Sequence, residues 1–231
     1  MLVARFVIVL FVAAVAYIML LIGPAWWLTD SLDWPRGWLA IGALWSAKLI
    51  SGLWLLRVDP ALLEKRMSLT AKNPVADKLA TALIGVLLCG WFVATAFDVH
   101  QFQLLPALPG HVSLLIGLVL FVLGMALIMW AMLENTFAVS VVEVQADRQQ
   151  TLIDTGPYAY IRHPMYSGII LAFMGLGLVC ESTALALAGV PMVMLGFLPR
   201  ILIEEATLRD GLAGYLEYLA RVRWRLIPGI Y

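Results

Sequence analysis

Apolar positions in this chain do not alternate or recur on one face; they come in long unbroken runs separated by short polar stretches. Four runs, about 6–28, 38–56, 79–97 and 112–133, meet the roughly 20 residues a helix needs to cross about 30 Å of hydrocarbon. Two shorter runs follow, about 164–180 and 183–199, broken only by Glu181-Ser182. That break is too small for a loop crossing a headgroup region, so the pair predicts a tight helical hairpin with its tip near the far face. The pattern therefore predicts an all-α, polytopic helical membrane protein with about six apolar segments.

The polar stretches orient it. Loops on the cytoplasmic side carry the excess of Lys and Arg. With the N-terminus inside, the inner loop 57–78 holds Arg57, Lys65, Arg66, Lys72 and Lys78, the inner loop 134–163 holds Arg148 and Arg162, and the tail holds Arg200, Arg209, Arg221, Arg223 and Arg225. The outer stretches have only Arg36 in 29–37 and neither Lys nor Arg in 98–111. This predicts an N-in, C-in protein of the cell membrane. Trp26, Trp27, Trp34 and Trp38 around the first outer loop read as an interface belt. Pro60 to Met67 has the pattern of a short interfacial helix. Lys48, inside the second span, must snorkel, pair or line a polar cavity.

Composition agrees: 63% of the 231 residues are hydrophobic and 13% charged, with mean hydropathy +0.94, far from a soluble domain. A net charge of zero gives no reason to expect a nucleic-acid partner. Cys89 and Cys180 lie in apolar runs, where a thiol packs as a small hydrophobe, and no metal site is expected. The partners implied are the bilayer and whatever the polar segments bind.

Those segments concentrate in one place. From Glu134 to Tyr166 the chain is dense in polar residues, more than a connector needs. Thr155-Gly156-Pro157-Tyr158 reads as a turn, and Arg162-His163-Pro164-Met165-Tyr166-Ser167-Gly168 leads into an apolar helix with Pro164 suited to its first position. Free N–H groups of Met165, Tyr166 and Ser167 would then make a positive helix end able to take an anion, with His163 at the cap and Arg162 beside it. A second group, Pro199 to Glu205, opens a segment with helical character running to about Val222. Arg200 and Glu204 are one turn apart there, the spacing of an ordinary exposed ion pair. Topology brings both groups to the same end of the hairpin.

Together these residues, with Tyr215, Tyr218, Arg221, Val222 and Pro228, resemble the isoprenylcysteine carboxyl methyltransferase family over about 130–231. The Arg-His-Pro-x-Tyr-x-Gly element is shared with membrane phospholipid methyltransferases and has a looser echo in sterol reductases. The resemblance implies an enzyme with S-adenosyl-L-methionine as cofactor and a lipophilic acceptor. Residues 134–231 would bind cofactor and catalyse, and 1–133 would form the bundle and the acceptor's access. It further implies that Gln150, Thr151, Leu152 and Ile153 contact the adenosine part, that Tyr158 lines the pocket, and that His163, Pro164, Met165 and Tyr166 hold the methionine part. Glu204 would meet the cofactor's positive end and Arg200 would bind the acceptor, these two being the catalytic pair. Either Glu143 or Gln145 would add a contact. A carboxylate acceptor is already an anion at neutral pH. An amine or thiol acceptor would need a base, with His163 or Glu205 as candidates. The competing readings are a phospholipid or small-thiol or amine methyltransferase, an NADPH-dependent reductase of the sterol type, and a membrane transport or assembly protein.

Overall fold

The computed structural model describes residues 1–67, 75–137 and 150–231, and the described residues contain helices and turns only. Helix α1 (Leu2–Tyr17) runs through a π turn (Ile18–Ile22) into α2 (Gly23–Thr29), forming one continuous span. The π turn ends two residues before Pro24, which has no N–H to give to the preceding turn, and a widened turn accommodates that missing bond. Helix α3 (Pro35–Val58) follows, then α4 (Pro60–Met67), α5 (Val75–Phe97) extended by a π turn (Asp98–Phe102), α6 (Gly110–Glu134), α7 (Pro164–Val179), α8 (Thr183–Gly211) and α9 (Tyr215–Arg221). Prolines open α3, α4 and α7, where a missing N–H is cost-free.

All six apolar segments are helices. Five are long and apolar enough to cross a membrane: Leu2–Thr29, Pro35–Val58, Val75–Phe102, Gly110–Glu134 and Thr183–Gly211. Their outward side chains, Phe11, Met19, Leu115, Val122 and Leu195 among them, are apolar and exposed. Such surfaces belong in lipid, and the protein is a multi-pass membrane protein. The sixth, α7, has 16 residues, about 24 Å of helix, and is the most enclosed of them, with Ile170, Ala172, Leu176 and Val179 all buried.

The enclosure of α7 has a backbone cause. Gly117 and Gly124 on α6 face Gly175 and Gly168 on α7; a Cβ at Gly124 would stand 2.5 Å from the Gly168 carbonyl oxygen, and one at Gly175 2.5 Å from that of Gly117. The helices therefore touch main chain to main chain, the close approach small residues permit in membranes. The expected hairpin is present: Glu181 adopts a left-handed φ of 68°, and Ser182 caps α8 by accepting from the Leu185 N–H at 3.0 Å.

Two expectations are corrected. Helix α8 does not end at Pro199 but continues through Pro191 and Pro199 to Gly211. Each proline forfeits one main-chain bond, and packing of α8 against α5 and α7 holds the rest of the ladder together. The third run also starts earlier than its apolar residues do, so Asp77 and Lys78 stand on α5 rather than in a loop. The short helix expected at Pro60 to Met67 is present as α4, with Leu62 and Leu63 buried against Phe6, Leu10 and Leu55.

Candidate active site

The ends of α4, α5, α6 and α8 and the start of α7 meet at one end of the bundle around a cavity of about 310 Å³, within the range of small-molecule sites. Its polar wall holds Arg66, Thr81, Asn135, His163, Tyr166, Arg200 and Glu204. Gln150 to Ile153, Tyr158, Pro164 and Met165 also line it. Every residue expected to touch cofactor or acceptor, from Gln150 to Glu204, is thus on one surface. Glu143 and Gln145 lie outside the described residues, as do Lys72 and Arg148. Lys48, half-buried on α3, is not on this surface.

The start of α7 is fixed by the C-terminal tail. The Arg162 N–H donates to the Trp224 carbonyl at 3.0 Å and the His163 N–H to that of Arg225 at 2.9 Å, while the Ser167 hydroxyl donates to the Leu226 carbonyl at 2.6 Å. This alters the expected anion site. The Tyr166 and Ser167 N–H groups donate back to the His163 carbonyl, as first-turn amides do when a helix tightens, so the main chain presents fewer donors than the Pro164 position suggests.

Side chains carry the polarity instead. His163 is buried, stacks on Tyr166 with ring centres 5.6 Å apart, and points Nε2 at Glu205 at 3.3 Å and Nδ1 towards Glu204 at 3.9 Å. The adjacent glutamates have opposite surroundings. Glu205 is buried and accepts from Arg162 Nη1 at 2.8 Å and from Arg225 Nε and Nη2 at 3.0–3.1 Å. It does not line the cavity. Glu204 is one-third exposed, lines the cavity and accepts from the Tyr166 hydroxyl at 3.0 Å.

Arg200 is no half of an exposed pair with Glu204. Its Nη1 donates to Asp77 Oδ1 and to Thr81 Oγ1, both at 3.0 Å, and its Nε to the Tyr166 hydroxyl at 3.3 Å. Tyr166 thus stands between the two residues that one helical turn places together. Burial of Arg200 favours this arrangement, because a guanidinium taken from water needs a close anion. Asp77 and Thr81 are the contacts of Arg200 that sequence reasoning missed; the available signal was a carboxylate and a hydroxyl one turn apart at the start of a span.

The apolar wall is built by Leu152, Leu208 and Leu212 with Tyr215 and Tyr218 of α9. The Tyr218 hydroxyl donates to the Tyr158 carbonyl at 2.9 Å, tying the tail to the 3₁₀ turn Gly156–Ala159. Burial, foremost, pushes the hydroxyls of Tyr158, Tyr215 and Tyr218 well above their ordinary value, so they stay neutral. Burial, foremost, also lowers Arg66 from its usual range. Among the described residues no group of His, Cys, Asp and Glu is arranged to hold a metal ion.

The candidate active site is thus a cavity at one end of an apolar helical bundle, lined by Tyr158, Tyr215 and Tyr218 and by Arg66, Arg200 and Glu204. Residues 112–212, from α6 to the end of α8, match the phospholipid methyltransferase family. The match covers the cavity's His163, Tyr166, Arg200 and Glu204 and bears out the expected kinship with membrane methyltransferases. A search of curated proteins finds no match to the chain.

Proposed function

We propose that the protein transfers the methyl group of S-adenosyl-L-methionine to a lipophilic acceptor, a carboxylate being favoured, at the cytoplasmic membrane face. The observation that supports it best is that Gln150 to Ile153, His163 to Tyr166, and Arg200 with Glu204, from three separate stretches, line one cavity. The residues fit the cofactor. The apolar and tyrosine wall of Leu152, Leu208, Leu212 and Tyr215 suits an adenine ring, and Glu204, the carboxylate on this surface, suits a cationic group. His163, Pro164, Met165 and Tyr166 line the same cavity and would hold the methionine part, with Tyr158 also lining the pocket.

When bound, S-adenosyl-L-methionine supplies a methyl group on a cationic sulfur. An acceptor oxygen held by Arg200 would take that methyl group, the sulfur keeping the electron pair of the bond given up. An anionic acceptor needs no proton removed. That matters here, because Glu205, a candidate base, is occupied by two arginines and His163 and lies off the cavity surface. Arg200 and Arg66 both line the cavity and favour an anion. Arg200 would orient the acceptor, while Glu204 balances the cofactor's charge; held geometry is the main contribution to such a displacement. The first 133 residues would admit the acceptor, and they also supply Arg66 and Thr81 to the cavity wall.

The cytoplasmic placement rests on the positive-inside rule: Arg57, Lys65, Arg66 and Lys78 cluster at the cavity end, and Arg36 stands at the other. The test is transfer of label from methyl-labelled S-adenosylmethionine in vesicles, comparing an N-acyl S-farnesylcysteine and a long-chain fatty acid with lysophosphatidylethanolamine. A labelled ester, released by base, is the expected product. Label on the amine lipid alone would replace the carboxylate acceptor with the phospholipid acceptor that the family match also supports.

A further inference from the structure

The acceptor-facing arginine does not stand on its own helix's support. Asp77 on α5 is fully buried, and its Oδ1 accepts from Arg200 Nη1 at 3.0 Å. One turn further along α5, Thr81 Oγ1 accepts from the same nitrogen, also at 3.0 Å. On the opposite side of the guanidinium, Nε donates to the Tyr166 hydroxyl of α7, which itself donates to Glu204. A guanidinium is planar, so contacts at Nη1 and Nε together fix the plane as well as the position of its carbon. Thr81 is exposed while Asp77 is sealed, so the pair runs from the interior to the rim of the cavity, where Thr81 itself forms part of the wall.

We propose that Asp77 and Thr81 are positioning residues for methyl transfer: α5 holds the Arg200 guanidinium at the angle that presents an acceptor anion to the methyl group, with Tyr166 linking that angle to Glu204. The inference rests on the proposed methyl transfer and extends it to residues outside the segment that matches the methyltransferase family, since α5 precedes residue 112. A buried carboxylate that only neutralised Arg200 would not need a second contact at the same nitrogen from an uncharged residue. Thr81 contributes no charge, so its hydrogen bond acts on geometry.

The full-length protein in vesicles is tested with the N-acyl S-farnesylcysteine as acceptor probe and S-adenosylhomocysteine as binding probe. Asp77→Asn is expected to bind S-adenosylhomocysteine within about threefold of the unaltered protein while acceptor turnover falls about a hundredfold, the cost of roughly 1 Å of misplacement. Adding Asp77→Asn to Arg200→Lys should cost little more than Arg200→Lys alone, because residues acting through one group are non-additive. Thr81→Val should lower turnover with cofactor affinity retained, and Thr81→Ser should restore it; this pair decides the matter if Asp77→Asn does not fold. Turnover in Thr81→Val equal to that of the unaltered protein, or full additivity with Arg200→Lys, overturns the inference alone. An unaltered protein that binds S-adenosylhomocysteine yet methylates none of the acceptors overturns the functional reading, and this inference with it.

Discussion

Glu204 and Glu205 are neighbours in sequence with opposite surroundings, and neutralising each in turn should separate folding from binding. Glu205→Gln removes the anion shared by Arg162, Arg225 and His163 at 2.8–3.3 Å. Breaking a buried ion pair costs about 3–5 kcal/mol because the partner charge stays buried. Arg162 is 9% exposed and bears that cost, whereas Arg225 is 27% exposed and recovers part of it from water, which favours about 3 kcal/mol. A melting temperature lower by roughly 6–12 °C follows for a chain of this size. Glu204→Gln keeps an oxygen that accepts from the Tyr166 hydroxyl and loses only the charge assistance of that bond at a side chain 32% exposed, a net stability cost of about 1 kcal/mol or less. Its effect falls on the ligand: loss of a charged partner worth about 1.5–3 kcal/mol weakens S-adenosylmethionine binding about tenfold to a hundredfold. The assays are thermal melting by tryptophan fluorescence in detergent and calorimetric titration with S-adenosylmethionine. The same profile from both variants, or a reversed one with Glu204→Gln unstable and Glu205→Gln binding poorly, would refute the division.

The α6–α7 contact gives a packing prediction. Gly124→Ala places a methyl group 2.5 Å from the Gly168 carbonyl oxygen, where main chain cannot yield, and should cost about 2 kcal/mol or more in a detergent melt; Gly85→Ala, which meets nothing within 4 Å, should be neutral or stabilising. For orientation, single cysteines at Asp33 and Tyr231 should react with an impermeant maleimide from opposite sides of the membrane, with Tyr231 on the cytoplasmic side; labelling of both from one side would break the six-segment count.

The spans were legible because lipid demands long apolar runs, and the helix start at Pro164 because a proline there has few alternatives. The end of α8 was not legible. Pro199 carries the mark of a helix boundary, yet the mark reports only one lost bond and one clash, and packing against α5 and α7 outweighs them. The same limit applies to the site. Residues 150–166, Arg200 and Glu204 could be grouped because the hairpin brings its two ends together. Asp77 meets Arg200 across 123 positions, and periodicity says nothing about such a pair. Spacing alone also pointed to Arg200 and Glu204 as partners; the Tyr166 hydroxyl between them belongs to another helix and shows only in three dimensions. Likewise, the separation of Glu205 from Glu204 follows from the hundred-degree turn per helical residue, which sends one carboxylate inward to the tail and the other to the cavity.

The central claim, that this cavity holds S-adenosylmethionine, is tested most directly by ligand binding to the purified protein in detergent. Saturating S-adenosylhomocysteine should raise the melting temperature, as any ligand selective for the folded state does, and NADPH at the same concentration should leave it unchanged. His163→Ala should diminish the shift. Stabilisation by NADPH without stabilisation by S-adenosylhomocysteine would contradict the account and return the cavity to a nicotinamide-dependent reductase.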